Sequence, residues 1–336
     1  MNRTSPEAID AALARNPRDV AALIGKADHL AAGGDVRGAS AFYLQAVRVA
    51  SSVAVAPELR PEVARAQAAC DHIASRIESE LRQDLAQHGL DEGAASQRFR
   101  ESLDILFGHR RPYVQQPQYY FFPGLPQIQF YDRASFPWLD AVEAATPAIR
   151  AEMLAVMRDP AALQPYVRSD PSRPPSAQAG MADNPDWSAF YLWKDGTPVP
   201  GNAQRCPRTL EALAGVPFPR VRGRMPSILF SVLRPGAHIP AHNGFINTRL
   251  ICHLPLAVPP GCLFRVGNDT RDWVEGKAWV FDDTIEHEAW NRSAETRVVL
   301  LFELWRPELT EKEKAMVTAM FEAIDAHGIG RAAWSV

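Results

Sequence analysis

Three stretches decide the fold: RMPSILFSVL at 224–233, TRLICHLPLAV at 248–258 and RVVLLFELW at 297–305. Each is a short apolar run rich in β-branched and aromatic residues and bounded by Gly, Pro or Asn, which is typical of buried β-strands. The same pattern recurs in SAFYLW, CLFRVGN and KAWVFDD. Closely spaced strands with such turns predict two antiparallel sheets, and a jelly roll (a cupin-like double-stranded β-helix) is the arrangement that leaves a wide mouth for a ligand.

Residues 1–90 differ from the strand region because they are rich in Ala, with apolar residues at three- and four-residue spacing, and therefore predict helices. The segment at 19–50 places small and large packing residues where a tetratricopeptide unit has them, with Gly33, Gly34 and Asp35 as the turn. An Ala-rich helical bundle that matches by chance is the alternative. Because fewer than three repeats rarely stand alone, we expect these helices to pack on the rest of the chain or on a protein partner.

A chain of 336 residues exceeds what one hydrophobic core usually supports, which favours two domains. We predict a tetratricopeptide-like helical region at 1–90 and a jelly-roll domain at 91–336, the latter with a helical and Pro-rich lead-in. The fold class is therefore α+β. A Pro-rich stretch at 165–180 predicts a long surface loop.

The composition excludes several classes of protein. A hydrophobic fraction of 46% and a charged fraction of 22% are ordinary for a globular chain, and a net charge of -3 makes nucleic acid a poor partner. Four cysteines without a CxxC motif suit neither a disulfide framework nor a thiolate zinc site, and we expect a cytoplasmic location. No run approaches eighteen apolar residues and the N-terminus lacks a signal-like apolar core, so no membrane span is expected.

Histidine is concentrated in the strand region, where four of the nine fall between residues 238 and 287. His242 follows a Pro-Gly turn and His287 follows an acidic loop, so both lie at strand edges, at the open end of a barrel. A divalent transition metal accepts such neutral imidazoles. Arg297 enters an apolar strand, where it must snorkel or meet an anion, and its planar fork suits a carboxylate.

These motifs together resemble the aspartyl/asparaginyl β-hydroxylase family of iron(II)- and 2-oxoglutarate-dependent dioxygenases. The similarity is carried by LFSVLRPGAHIPAHNG, TRLICHLPL and GKAWVFDDTIEHEAWNRSAETRVVLLFELWRPELT, with FPGLP, FPWLD and the helices before them also typical of the family. The resemblance implies that His242 and His287 bind iron(II), that Arg297 binds the distal carboxylate of 2-oxoglutarate, and that O₂ is the second co-substrate. It further implies a co-substrate pocket lined by Ser231, His253 and Trp193.

The metal site implied by the resemblance has two histidines and no carboxylate. Most 2-oxoglutarate oxygenases carry Asp or Glu two residues after the first histidine, whereas this chain has Gly244, an absence that the family shares. Ligating histidines usually donate their second N–H to an acceptor. Asp282, Asp283 and Glu286 are candidates to contact His287 or metal-bound water, and a solvated acidic turn is the alternative.

The resemblance implies hydroxylation of an unactivated C–H, at the β-carbon of an Asp- or Asn-type residue in a peptide, a protein or a free amino acid. Family members that hydroxylate protein Asp or Asn carry a basic residue where this chain has Ile251. Arg249, two residues earlier on the same strand face, could replace it. Two other functions stay open: a lipid acyl-chain hydroxylase of the same family, and a non-catalytic jelly-roll binding module.

Overall fold

The structure is a computed structural model that describes residues 5–90, 93–169 and 180–327. The Pro-rich stretch predicted to form a long loop falls largely within residues 170–179, outside the described residues. No described helix is long and apolar enough to cross a bilayer. The helices are α1 Pro6–Arg15, α2 Val20–Ala32, α3 Val36–Ser52, α4 Arg60–Gln87, α5 Gln97–Leu106, α6 Leu139–Ala144, α7 Thr146–Met157, α8 Asn202–Arg205, α9 Pro207–Ala212 and α10 Glu311–Ala326.

The strands all follow the helical first third of the chain. They are β1 Gln164–Pro165, β2 Trp187–Lys194, β3 Thr197–Pro198, β4 Ile228–Leu233, β5 His238–His242, β6 Arg249–Ala257, β7 Cys262–Val266, β8 Asp269–Asp272, β9 Trp279–Phe281, β10 His287–Asn291 and β11 Arg297–Trp305.

The chain divides into two compact units, Met1–Arg111 and Pro112–Val336, so that α5 belongs to the first unit. The composition alone places the division earlier, at residue 90. One ion pair and one hydrogen bond connect α4 to the segment after residue 90 and explain why the first unit extends further. Arg82 of α4 lies 3.6 Å from Asp104 of α5, and His109 lies 2.7 Å from Glu78 of α4.

Within the first unit, α2 and α3 form a helical hairpin. Asp19 and Asp35 cap the two helices by accepting hydrogen bonds from the backbone N–H groups of Ala22 and Gly38. Between them, Gly34 has a φ of 84°, a conformation that favours glycine. The buried core of the hairpin includes the predicted packing residues Leu23, Ala27, Ala39, Tyr43 and Ala46. The helices and their turn agree with the sequence pattern, and the tetratricopeptide assignment stays a prediction.

The second unit is a jelly roll. One sheet has the order β1-β2-β4-β11-β6-β9, with β3 paired to β2, and the other has the order β5-β10-β7-β8. The eight strands from β4 to β11 therefore distribute between two sheets of antiparallel pairs, as two interleaved Greek keys do. This confirms the predicted jelly roll and, with the helices, the α+β class.

The larger sheet has an apolar core on each face because successive side chains of a strand point in opposite directions. On β11, Val298, Leu300 and Phe302 belong to a core with α6 and α7, whereas Val299 and Leu301 belong to the core shared with the smaller sheet. The layers are thus helices, large sheet and small sheet. Polar residues at the other odd-numbered positions of β11 therefore face the space between the two sheets.

Candidate active site

His242 and His287 meet in the smaller sheet. They are direct cross-strand partners on β5 and β10, and their ring centroids lie 4.1 Å apart. The Nδ1 atom of His242 lies 2.7 Å from the carbonyl oxygen of Pro240, and that of His287 lies 3.1 Å from the carbonyl oxygen of Ile285. Because a carbonyl only accepts, each Nδ1 carries the proton, which leaves the lone pair on Nε2.

The surroundings of both imidazoles favour the neutral form. Burial lowers the pKa of His242, and burial together with the neighbouring His242 lowers the pKa of His287 well below its usual value. A neutral imidazole with its Nδ1 held by a backbone carbonyl is the form that binds a transition metal. The described residues contain no group of three His, Cys, Asp or Glu side chains placed to hold a metal.

Arg297 lies at the start of β11 and is 1% exposed. Its guanidinium carbon lies 4.9 Å from the ring centroid of Trp273, and its Nη1 lies 3.4 Å from Oγ of Ser231. The Nε atom has no hydrogen-bond partner within the described chain, and burial lowers the pKa of this side chain to about 10. A buried cation without a counter-ion is costly, so this position favours binding of an anion.

Ser231 and His253 adjoin the same arginine. Oγ of Ser231 accepts a hydrogen bond of 3.2 Å from Nε1 of Trp187, which leaves its hydroxyl proton free to donate. His253 is 6% exposed, and its Nδ1 finds no partner among residues that the structure describes. Burial and Arg297 hold the pKa of His253 well below its usual value. One cavity of about 130 Å³ is lined by His242, His287, Arg297, Ser231 and His253.

Comparison with known proteins identifies the domain. Residues 143–307, which span the cavity, match the family model for aspartyl/asparaginyl beta-hydroxylase. This part of the chain belongs to the aspartyl/asparaginyl β-hydroxylase family. The resemblance predicted from the motifs is therefore confirmed.

Curated proteins similar to this chain have names that state different substrates. An ornithine lipid ester-linked acyl 2-hydroxylase of Rhizobium tropici is 37% identical over 189 residues, which cover 55% of this chain and 62% of the relative. The human aspartyl/asparaginyl beta-hydroxylase is 36% identical over 142 residues, covering 42% of this chain and 18% of the relative. Aspartate beta-hydroxylase domain-containing protein 2 of Xenopus tropicalis is 30% identical over 217 residues, covering 63% and 56%.

The chain thus matches less than two thirds of the length of each of these relatives. Among solved structures, a cupin domain from Schizosaccharomyces pombe has a TM-score of 0.25 and 9% identity, covering 43% of this chain and 73% of that chain. The strand pairing, rather than this similarity, defines the jelly roll of the family member.

Trp193 does not join the other predicted residues of the family's co-substrate pocket. The pairing of β2 with β4 shifts register between Tyr191 and Trp193, so Trp193 lies opposite Ile228. This irregularity turns its side chain to the opposite face, and Trp193 lines a separate cavity with Phe218 and its neighbours. Trp187, on the same strand, lies in the site instead.

The acidic side chains of the loop before His287 do not bond to Nδ1 of that histidine, which lies 3.1 Å from the backbone carbonyl oxygen of Ile285 in the same loop. Asp282 is buried in an ion pair with Arg306, whose Nη1 lies 2.8 Å from its Oδ2. Glu286 lies 2.8 Å from Arg265. Of these three acidic residues, only Asp283 lines the cavity.

The position two residues after His242 has no room for a side chain. A Cβ on Gly244 would lie 2.0 Å from Oδ2 of Asp283. The family resemblance implies no metal-binding side chain at position 244. In this structure the carboxylate of Asp283 occupies the space that such a side chain would need. The sequence alone could not pair these residues because they lie on different segments.

Two further ionisable residues line the cavity, and the motifs single out only one of them, Arg249. Glu303 lies on β11 and lines the same cavity as Arg297. Because both have odd positions on one strand, the two-residue period of β-structure was a signal for it. Arg249 on β6, expected as a possible substrate contact, also lines the cavity and lies 2.8 Å from both Asp283 and Glu303.

Proposed function

We propose that the second unit is an iron(II)- and 2-oxoglutarate-dependent dioxygenase that hydroxylates an unactivated C–H bond. The observation that carries the proposal is one cavity that holds two imidazoles, both with Nε2 available, and a buried arginine that has no counter-ion among the described residues. Family membership of residues 143–307 supports it. Bound iron, with 2-oxoglutarate and O₂, would supply the oxidation.

The donor set fits iron(II) with few protein ligands. His242 and His287 would hold the metal through Nε2, because their Nδ1 atoms are engaged by backbone carbonyls. A site with two protein ligands leaves coordination positions for a chelating co-substrate and for O₂. The close approach of Asp283 to Gly244 is consistent with this set, since it excludes a third ligand from that position.

The opposite wall of the cavity fits the distal carboxylate of 2-oxoglutarate. Arg297 would donate to that carboxylate through its otherwise unpartnered Nε and neighbouring N–H groups, and the free hydroxyl proton of Ser231 lies next to it. The carboxylate would compensate the desolvation of the guanidinium. Aromatic side chains exclude water around it, since Trp273 stacks on Arg297 and His253 packs on Phe264.

Two classes of substrate are candidates for this reaction. Hydroxylation at the β-carbon of an Asp- or Asn-type residue remains the prediction from the motifs. A second candidate is an acyl chain, favoured by Ile251, which leaves an apolar surface on the cavity wall with Leu229 and Ile239. The named activity of the Rhizobium tropici relative is of this second kind.

The experiment that tests the proposal measures 2-oxoglutarate turnover. The purified chain with iron(II), ascorbate and O₂ is expected to convert 2-oxoglutarate to succinate, and His242→Ala is expected to abolish this conversion. Calorimetric titration of 2-oxoglutarate separates the enzyme from a non-catalytic binding module. Absence of both binding and succinate in the intact chain would contradict the proposal, as would succinate formation that His242→Ala leaves unchanged.

A further inference from the structure

The cavity has two chemically distinct ends. Arg297 and Glu303 lie six positions apart on the same face of β11, which corresponds to about 20 Å at the rise of a strand. Arg297 and its neighbours form the end assigned above to the co-substrate. Around Glu303 the lining side chains include Asp195, Asp283 and Arg249. The charge at this second end therefore bears on what else the cavity binds.

The arginine at the second end is already neutralised. Its Nη1 lies 2.8 Å from Oδ2 of Asp283, and its Nε lies 2.8 Å from Oε1 of Glu303. Arg249 and both acids are each 6% exposed. Two carboxylates thus share one guanidinium, and the group of three has an excess of negative charge when both carboxylates are ionised.

A third carboxylate adds to that excess. Asp195 lines the cavity, and its side chain makes no hydrogen bond or ion pair with the described residues. It has a φ of 52° and, with Gly196, forms the two-residue turn between β2 and β3. The neighbouring Lys194 turns its ammonium over the ring of Tyr191, 4.9 Å from the centroid. Burial raises the pKa of Asp195, as expected for a carboxylate without a close cationic partner.

Two side-chain atoms of this group lack a hydrogen-bond partner among the described residues, Oδ1 of Asp283 and Nε of Arg249, although that Nε lies 2.8 Å from Oε1 of Glu303. Oδ1 of Asp283 is buried and accepts no hydrogen bond anywhere in the part of the chain that the structure describes. Burial also raises the pKa values of Asp283 and Glu303, although Arg249 opposes the shift in both. A buried carboxylate oxygen without a donor is unfavourable unless a ligand supplies one.

An acidic substrate does not fit this end. A substrate carboxylate at Arg249 would bring a third negative charge to a guanidinium that already contacts two. At the next inward-facing position on β6 the side chain is Ile251, which offers no donor. A protonated amine, in contrast, carries three donors and a positive charge, and would compensate the excess.

We propose that the substrate carries a protonated primary amine, which binds at the end of the cavity formed by Asp195, Asp283 and Glu303. This inference rests on the proposed function only in that the substrate shares the cavity with the metal and 2-oxoglutarate. The amine donates to Oδ1 of Asp283 and is attracted by Asp195 at the rim. The site thereby selects cationic over neutral and anionic substrates.

The test compares matched probes that differ in one charged group. N-acetyl-lysine methylamide is compared with its norleucine and aspartate counterparts, and octylamine with octanol, so that a side-chain amine and an alkylamine are distinguished. Binding to the full chain is measured by calorimetry with Mn(II) and 2-oxoglutarate present. For at least one amine, the Kd is expected to be about tenfold or more below that of its uncharged counterpart.

Asp195→Asn is the informative variant because Asn tolerates a positive φ well. It is expected to reduce the amine preference at least about threefold while leaving 2-oxoglutarate affinity unchanged. Asp272→Asn, on the exposed strand β8, makes the same charge change away from the cavity and is expected to keep the full preference.

The outcomes separate the two proposals. If neither amine binds better than its uncharged counterpart, or if neither binds detectably, or if the aspartate probe binds best, the amine assignment is wrong, whereas the co-substrate assignment stands as long as 2-oxoglutarate still binds. Loss of preference in both Asp variants would assign the effect to net charge and would also overturn the amine site. Failure of the intact chain to bind 2-oxoglutarate contradicts the proposed function itself.

Discussion

His242 and His287 oppose each other directly across β5 and β10, and each ring is held by the carbonyl of the residue two positions earlier in its own chain segment. The cross-strand register sets the distance between the rings, and the two carbonyls set which nitrogen is free. Both features come from the backbone, so the pair is formed by the fold of the smaller sheet itself.

Replacing either histidine is expected to remove metal binding. His242→Ala or His287→Ala should weaken Mn(II) or iron(II) binding at least about 100-fold, because the remaining imidazole cannot chelate alone. Metal content after equilibrium dialysis measures this. His238→Ala is the matched control, since His238 begins the same strand and stacks on Trp290 at the surface. Equal metal content in all three variants would refute the ligand assignment.

Arg297→Met is expected to weaken 2-oxoglutarate binding without lowering the stability of the ligand-free protein. The variant removes a buried cation without a counter-ion, so the ligand-free protein should unfold at the same or a higher temperature. Its Kd for 2-oxoglutarate should rise at least about 100-fold, because the charge-assisted hydrogen bonds are lost. Thermal unfolding and calorimetry measure the two effects.

Arg292→Met serves as the control for this experiment. Arg292 is exposed, and its guanidinium packs on the ring of Trp290. It should leave 2-oxoglutarate affinity unchanged. Unaltered affinity in Arg297→Met, or a similar loss in both variants, would speak against Arg297 as the carboxylate ligand.

The two tryptophans of β2 are expected to differ in effect. Trp187→Phe removes the hydrogen bond to Ser231 and should raise the Kd for 2-oxoglutarate about threefold to tenfold. Trp193→Phe should change it less than about twofold, since this residue lines the other cavity. The same titration measures both, and a larger effect at Trp193 would restore the assignment made from the motifs.

The tryptophan exchange illustrates which parts of the site a sequence can predict. The jelly roll, the two histidines and Arg297 follow from short alternating strands and from motifs next to turns. The prediction for Trp193 is wrong because a register shift in β2 interrupts the alternation of side chains between the two faces of the sheet. No residue type in SAFYLW indicates that shift.

Ion pairs between distant segments are the other feature that the sequence alone does not predict. Arg249 and Asp283 belong to separate segments, and only the folded sheets bring them within 2.8 Å. Glu303 was accessible in principle, since it shares strand parity with Arg297. Side-chain contacts of Arg82 with Asp104 and of Glu78 with His109 extend the first unit beyond residue 90, and composition does not record such contacts.

Gly244→Ala is expected to destabilise the second unit. The added Cβ would lie 2.0 Å from Oδ2 of Asp283 and must displace that carboxylate from Arg249. The free energy of unfolding should fall by about 1–3 kcal/mol, as for other overpacked positions. Denaturant unfolding measures it, with Gly215→Ala as the control because its Cβ would meet nothing within 4 Å. A stability loss that is equal at both positions would contradict the close packing at residue 244.

A crystal structure of the full chain grown without oxygen in the presence of Mn(II) and 2-oxoglutarate tests the central claim most directly. The account predicts one Mn(II) bound by Nε2 of His242 and Nε2 of His287, and the distal carboxylate of 2-oxoglutarate on Arg297. A metal bound elsewhere, or 2-oxoglutarate whose distal carboxylate does not contact Arg297, would contradict it.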